Sequence, residues 1–173
     1  MIHIIDNYLT QEECDYAISL CEKNEPLPFY GNTNVDVFFS NEVTEFVNTM
    51  SDKILSILPD TFKYYSRLQL ADIGEDQGSL SRWKPGSFTG LHSDTAGLRF
   101  PNLIFSSVLY FNDNFEGGEI NFPGQKITHK PIAKQLSLFR STREFAHEVL
   151  PVISGTRYTL PLWFSTDRIM DIV

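Results

Sequence analysis

The hydrophobic period changes once along this 173-residue chain, near residue 62, and that change limits what the chain can build. Before it the apolar residues recur at helical spacing. Thr10-Gln11-Glu12-Glu13 forms a capping box, in which the Thr10 hydroxyl and the Glu13 carboxylate each take up a free N–H of a first helical turn. Cys14, Ala17, Ile18 and Cys21 follow at i, i+3, i+4 and i+7, which predicts an amphipathic helix over 11–23, ended by Pro26 and Pro28. A second helix is expected over 42–58, with Val43, Phe46, Val47, Met50, Ile54 and Leu58 on one face and Pro59 as its stop. Ile2, Ile4, Ile5 and Tyr8 predict a short strand at 2–8. Beyond residue 62 the segments 63–73, 79–84, 103–111, 118–122, 125–130, 135–140, 147–153 and 156–164 are short and rich in β-branched and aromatic residues. Gly, Pro, Asn or Asp separates them, a pattern that suggests an antiparallel sandwich or barrel. The fold class expected is mainly β with flanking helices: a jelly roll with two N-terminal helices packed on one sheet.

Composition removes several alternatives. One domain spanning 1–173 is expected at this length, with 1–62 supporting a β core over 63–167. No apolar run approaches the roughly 18–20 residues of a membrane helix. The start, Met1-Ile2-His3-Ile4-Ile5-Asp6, has neither the basic residues nor the apolar centre of a signal peptide, so no membrane role and a cytoplasmic location are expected. The formal net charge of −8, with basic residues scattered singly, argues against nucleic acid as a partner. Cys14 and Cys21 would lie about 10 Å apart on a helix, at ~1.5 Å rise per residue, too far for a disulfide. Both read as reduced, buried thiols. No C-x-x-C or paired Cys/His spacing suggests structural zinc.

The chemistry concentrates in two places. His92-Ser93-Asp94 sets an imidazole and a carboxylate two residues apart, which on extended chain share a face, as adjacent metal ligands require. Far downstream, His147-Glu148-Val149-Leu150-Pro151 precedes Gly155-Thr156-Arg157-Tyr158-Thr159. Two histidines and one carboxylate make a facial triad, which leaves three positions open on one side of a metal and suits non-haem Fe(II). Arg157, Thr159, Pro161 and Trp163 share a strand face by the period of two. A buried arginine there needs an anion: a ligand carboxylate held by two charge-assisted contacts, or an acid such as Glu148 at the rim.

In order, the chain carries Trp83-Lys84-Pro85-Gly86, His92-x-Asp94, Val108-Leu109-Tyr110-Phe111-Asn112, Phe115-Glu116-Gly117-Gly118-Glu119, His147-x-Val149-x-Pro151 and Gly155-x-Arg157-Tyr158. Over about residues 64–167 this series resembles the Fe(II)/2-oxoglutarate-dependent dioxygenases, and within them the prolyl 4-hydroxylase branch. The resemblance implies a double-stranded β-helix with the metal at its mouth. It implies Fe(II), 2-oxoglutarate and O2, with ascorbate as reductant. His92, Asp94 and His147 match the iron ligands, and Arg157 and Tyr110 match the pair that holds the far carboxylate of 2-oxoglutarate. Thr159 falls where related enzymes have a Ser, and is assigned to the same site. Trp163 matches a pocket-lining aromatic; with Trp83 and Arg143 it is a candidate for substrate contact. Trp83 departs from the family, which often has Tyr ahead of the Pro-Gly turn, and an indole donates one hydrogen bond but accepts none.

The activity so implied is hydroxylation of a C–H bond with release of succinate and CO2, most closely 4-hydroxylation of a prolyl residue in a peptide or protein. The alternatives are a free amino acid or another peptidyl side chain as substrate, or a metal-binding β-barrel module without catalysis. Gly117-Gly118 reads as a hairpin turn. Phe100, Phe105, Phe111, Phe115, Phe122 and Phe139 read as core, and His3 and His129 as surface or strand-edge residues. Substrate contacts are expected from the loops 72–79, 95–102 and 140–146.

Overall fold

The structure is a computed structural model and describes residues 2–28, 34–58, 68–71, 78–95 and 103–165. After strand β1 (Ile2–Ile5) the chain enters helix α1 (Gln11–Lys23) through the expected capping box. Thr10 N donates to Glu13 Oε2 at 2.7 Å, and Glu13 N donates to Thr10 Oγ1 at 3.1 Å. Helix α2 (Asn41–Ile57) is capped instead by Ser40, whose Oγ accepts from Val43 N at 3.2 Å. Lys53 of α2 meets Glu13 of α1 at 2.7 Å, tying the two helices together. Cys14 and Cys21 are free and buried, and burial pushes their thiols up to about 11 and about 12. They are inert, as buried thiols are.

Among the described residues the strands form three sheets. The largest contains β1, β2 (Leu27–Pro28), β3 (Val35–Phe38), β4 (Gln69–Leu70), β5 (Leu80–Trp83), β7 (Leu103–Tyr110), β11 (Leu136–Arg140) and β14 (Arg157–Ser165). Its order is β1-β11-β7-β14-β5-β3-β2, with β4 beside β14. The second runs β10 (Ile127–His129), β9 (Ile120–Phe122), β12 (His147–Val149), β6 (Thr89–His92); β8 (Phe115–Gly117) and β13 (Val152–Gly155) form a separate ribbon. All pairings are antiparallel.

Alternation along β14 sorts its side chains. Tyr158, Leu160, Leu162 and Phe164 pack with Cys14, Ala17, Leu20, Val43, Phe46 and Met50 of the helices, so both helices cover one face of the large sheet. Arg157, Thr159, Pro161 and Trp163 take the other parity, toward the interior between sheets. Phe122, Phe139 and Phe145 with Ile120 form a second apolar cluster on that side.

Several boundaries differ from the sequence reading. The segment 147–153 splits at Leu150-Pro151 into β12 and β13, which belong to different sheets, because proline supplies no N–H for a continuous ladder. Of 63–73, Leu68–Ala71 is described and Gln69–Leu70 is strand; the remainder, with Phe100, Pro59, 72–77 and 96–102, lies outside the described residues. Gly117 and Gly118 adopt φ of +73° and +66°, which glycine takes freely, but they do not close the expected hairpin: they carry the chain from β8 to β9, which lie in different sheets. Phe105, Phe111, Phe115, Phe122 and Phe139 are buried, His3 is exposed, and His129 sits on the edge strand β10.

Candidate metal centre

Strands β6 and β12 pair so that His92 and His147 are directly opposite one another. Their ring centroids are 4.5 Å apart. Asp94 lies in the turn after β6 rather than on the strand, and one ligand atom from each of His92, Asp94 and His147 falls within 4.8 Å of the others. The His92 Nε2 to Asp94 Oδ1 distance is 3.6 Å.

Each ligand candidate is oriented from behind. His92 Nδ1 lies 2.8 Å from the Gly90 carbonyl, and His147 Nδ1 lies 3.1 Å from the Phe145 carbonyl. A carbonyl only accepts, so each Nδ1 donates, which leaves Nε2 as the atom each ring can offer to a metal. Phe122 and Phe139 pack on the His147 ring at 5.4 and 4.8 Å between centroids. Burial lowers the His147 pKa, and the neighbouring His92 adds to this, against the opposing pull of Asp94 and the Phe145 carbonyl. The imidazole is therefore held neutral, the form a metal binds. Asp94 Oδ2 accepts from Ser106 Oγ, which is itself 2.7 Å from Ser141 Oγ. Two imidazoles and a carboxylate, with an open side, fit Fe(II).

At the start of β14, Arg157 is 1% exposed. Its guanidinium carbon stands 4.8 Å from the centre of the Trp83 ring and 5.4 Å from that of Tyr110. Its Nε and Nη1 have no hydrogen-bond partner among the described residues. Burying an uncompensated cation lowers its pKa, which Tyr110 partly offsets, yet arginine stays protonated in proteins. The rim acid is not its partner: Glu148 accepts from Asn121 Nδ2 at 2.8 Å. Such a site costs several kcal/mol unless an anion completes it. Burial likewise raises the Tyr110 phenol, against the lowering effect of the Arg157 charge. Tyr110 therefore stays protonated and able to donate.

Gly118 gives this arginine its room. A Cβ there would stand 3.0 Å from Arg157 Cδ and 3.2 Å from Phe115 Cε2. Thr159 Oγ1 accepts from Trp83 Nε1 at 3.0 Å, and Arg157 and Thr159 are paired with Trp83 and Ser81 across β14 and β5. Trp83 is thus a wall of the arginine pocket. Trp163 packs against Ala71 and Leu103, and Arg143 is exposed on the single turn Arg143–Phe145. The sequence reading did not single out Ser106, Ser137 and Ser141, which are buried around these groups. Hydroxyl residues at inward strand positions, among apolar neighbours, were the signal available.

A family model described as the 2OG-Fe(II) oxygenase superfamily matches residues 78–165. The chain belongs to that superfamily, and Fe(II), 2-oxoglutarate and O2 are accordingly its cofactor and cosubstrates. Human prolyl 3-hydroxylase 2 (Homo sapiens) is 38% identical over 68 residues, covering 36% of this chain; the chain spans 10% of the length of that relative. The viral collagen prolyl hydroxylase of Paramecium Bursaria Chlorella virus-1, solved as a 2OG complex, matches with a TM-score of 0.74 at 22% identity over 96% of both chains. A prolyl hydroxylase from Trichoplax adhaerens, solved with a hypoxia inducible factor peptide fragment, matches with a TM-score of 0.70 at 18% identity over 95% of this chain and 83% of that one. These likenesses speak to the fold, a double-stranded β-helix. No helix among the described residues is long and apolar enough to cross a membrane.

Proposed function

We propose that this chain is an Fe(II)- and 2-oxoglutarate-dependent hydroxylase of a C–H bond, most closely a prolyl residue within a peptide or protein. The observations that support this reading are the ligand atoms of His92, Asp94 and His147 within 4.8 Å of one another and a buried Arg157 on the inward parity of β14 whose Nε and Nη1 have no partner among the described residues. Residues 63–167 would form the catalytic core, with 1–62 in support.

His92 Nε2, one oxygen of Asp94 and His147 Nε2 would hold the iron. Iron held there would supply the activation of O2, coupled to conversion of 2-oxoglutarate to succinate and CO2. The protein's part is placement. Arg157 would take the far carboxylate of 2-oxoglutarate through its free N–H groups, a charge-assisted contact in a site that excludes water. Tyr110, protonated and fully buried, would add a hydrogen bond to that carboxylate, and Thr159 a second. Burial of this end fixes which end of the cosubstrate faces the metal.

A peptide substrate is supported by the open, exposed side of the centre, where His92 is 42% accessible at its side chain, and by the peptide complex of the Trichoplax relative. Trp163 and Arg143 are the candidates for its contacts. The test is incubation with Fe(II), 2-oxoglutarate and ascorbate, following succinate, with a proline-rich peptide panel read by mass spectrometry for addition of one oxygen. Succinate formation lost in His92→Ala and Asp94→Ala, with a +16 Da product on proline, is the expected result. Metal binding without affinity for 2-oxoglutarate would favour a non-catalytic module instead. A product confined to free amino acids would move the substrate class.

A further inference from the structure

The two hydroxyls beside Arg157 have their protons directed by neighbours that need not touch the cosubstrate. Thr159 Oγ1 accepts the indole N–H of Trp83 at 3.0 Å. Tyr110 Oη accepts from Ser137 Oγ at 3.3 Å and also accepts from the Arg157 guanidinium, whose Nε and Nη1 remain without a partner among the described residues. A hydroxyl has one proton to give. Once it accepts from a fixed donor, its own hydrogen is free to point elsewhere. Trp83 Nε1 can only donate, so the sense of its bond to Thr159 is fixed whatever else occupies the site. Thr159, Tyr110, Arg157 and Ser137 are each 1% exposed or less, so bulk water does not reach these protons.

We infer that Trp83, and Ser137 more weakly, are positioning residues that set Thr159 and Tyr110 as donors toward the same point as the free Arg157 N–H groups. The pocket end so built offers donors only. It is matched to a group that only accepts, an ionised carboxylate, and mismatched to a carboxamide, whose NH2 would meet further donors. This gives the Trp83 departure from the usual Tyr a specificity role: the indole acts through Thr159 rather than on substrate. The inference rests on the 2-oxoglutarate reading of this pocket.

The test is calorimetric binding of 2-oxoglutarate, and of its 5-amide, to Mn(II)-loaded protein, with Trp83→Phe, Thr159→Val and the double variant. Phenylalanine keeps an aromatic face over Arg157 and removes the donor together with one ring of the indole, a loss of packing that the Thr159→Val background carries equally. Trp83→Phe is expected to weaken 2-oxoglutarate about fivefold, the worth of one neutral hydrogen bond, to weaken the amide less, and to leave Mn(II) affinity unchanged. In the Thr159→Val background the same substitution is expected to change nothing further. An equal loss in both backgrounds, or an equal loss for acid and amide, would overturn the inference while leaving the pocket assignment standing. If Trp83→Phe does not fold, Ser137→Ala asks the same question at Tyr110: a loss that vanishes in the Tyr110→Phe background supports the inference, and one that persists overturns it. Wild-type protein that binds Mn(II) but not 2-oxoglutarate would defeat the pocket assignment itself, and this inference with it.

Discussion

Ser106 donates a hydrogen bond to Asp94 Oδ2, and the other carboxylate oxygen, Oδ1, is left facing His92 Nε2 at 3.6 Å. One oxygen is thereby tied to the protein and one is available to a metal. With its proton given to Asp94, Ser106 Oγ must accept from Ser141 Oγ at 2.7 Å. The Ser141 carbonyl in turn accepts from Thr95 N at 3.2 Å and from Thr95 Oγ1 at 2.9 Å. The turn that carries Asp94 is thus clamped to the middle of β7 and to the residue that follows β11. Ser106→Ala should weaken metal affinity about 10–100-fold, as loss of a group behind a ligand does, and Ser141→Ala should do so less. Calorimetry with Mn(II) measures both, and unchanged affinity in Ser106→Ala would remove this role.

Arg157→Ala should raise the 2-oxoglutarate requirement by at least roughly a hundredfold, because a buried carboxylate left unpaired costs about 3–5 kcal/mol. Metal affinity should not move. Succinate formation against cosubstrate concentration checks the first, and Mn(II) titration the second. Arg157→Lys should recover only part, since a single ammonium cannot reproduce the two-pronged contact.

Gly118→Ala addresses the arginine from outside its own strand. The backbone there has φ of +66°, and the added methyl would press on Arg157 Cδ at 3.0 Å. The left-handed conformation alone costs an alanine about 1–2 kcal/mol. Lower thermal stability together with weaker 2-oxoglutarate binding is expected, measured by denaturation and by calorimetry. Loss of stability with cosubstrate affinity intact would show that the arginine has slack.

Acid stability should depend on Asp36. Burial alone would raise this carboxyl, but Lys84 at 2.8 Å and Arg82 at 2.7 Å outweigh it, and its pKa falls below the ordinary 3.8. The unfolded chain then binds a proton more readily than the folded one as pH drops. The stabilisation is fully present above about 3.8 and is lost as pH falls through the lower folded value. Denaturant unfolding at pH 7 and pH 3 should show a smaller difference for Asp36→Asn than for the wild type. Equal differences would show that the contacts to Arg82 and Lys84 do not couple to folding.

The parts legible in sequence are those with strong local causes. The capping box and the i, i+3, i+4 pattern place α1 to the residue, and the parity of β14 sorts Arg157 from Leu160 because alternation is strict there. Strand β6 was not readable: Thr89-Gly90-Leu91-His92 has no alternation and is mostly exposed, and it is a strand because β12 pairs with it. Strands β2, β3 and β8 are short segments made by their partners in the same way. Trp83 over Arg157, and the serines behind Asp94 and Tyr110, depend on chain segments brought together across the sheets, and no local pattern marks such encounters.

Convergence of His92, Asp94 and His147 on one metal ion is the claim on which the rest stands. Equilibrium titration of Mn(II) into the metal-free wild type and into His92→Ala, Asp94→Ala and His147→Ala tests it most directly. One tightly held ion per chain in the wild type, lost in each of the three variants while the fold is retained, is the predicted result. An ion held as tightly by any of the three variants would contradict it.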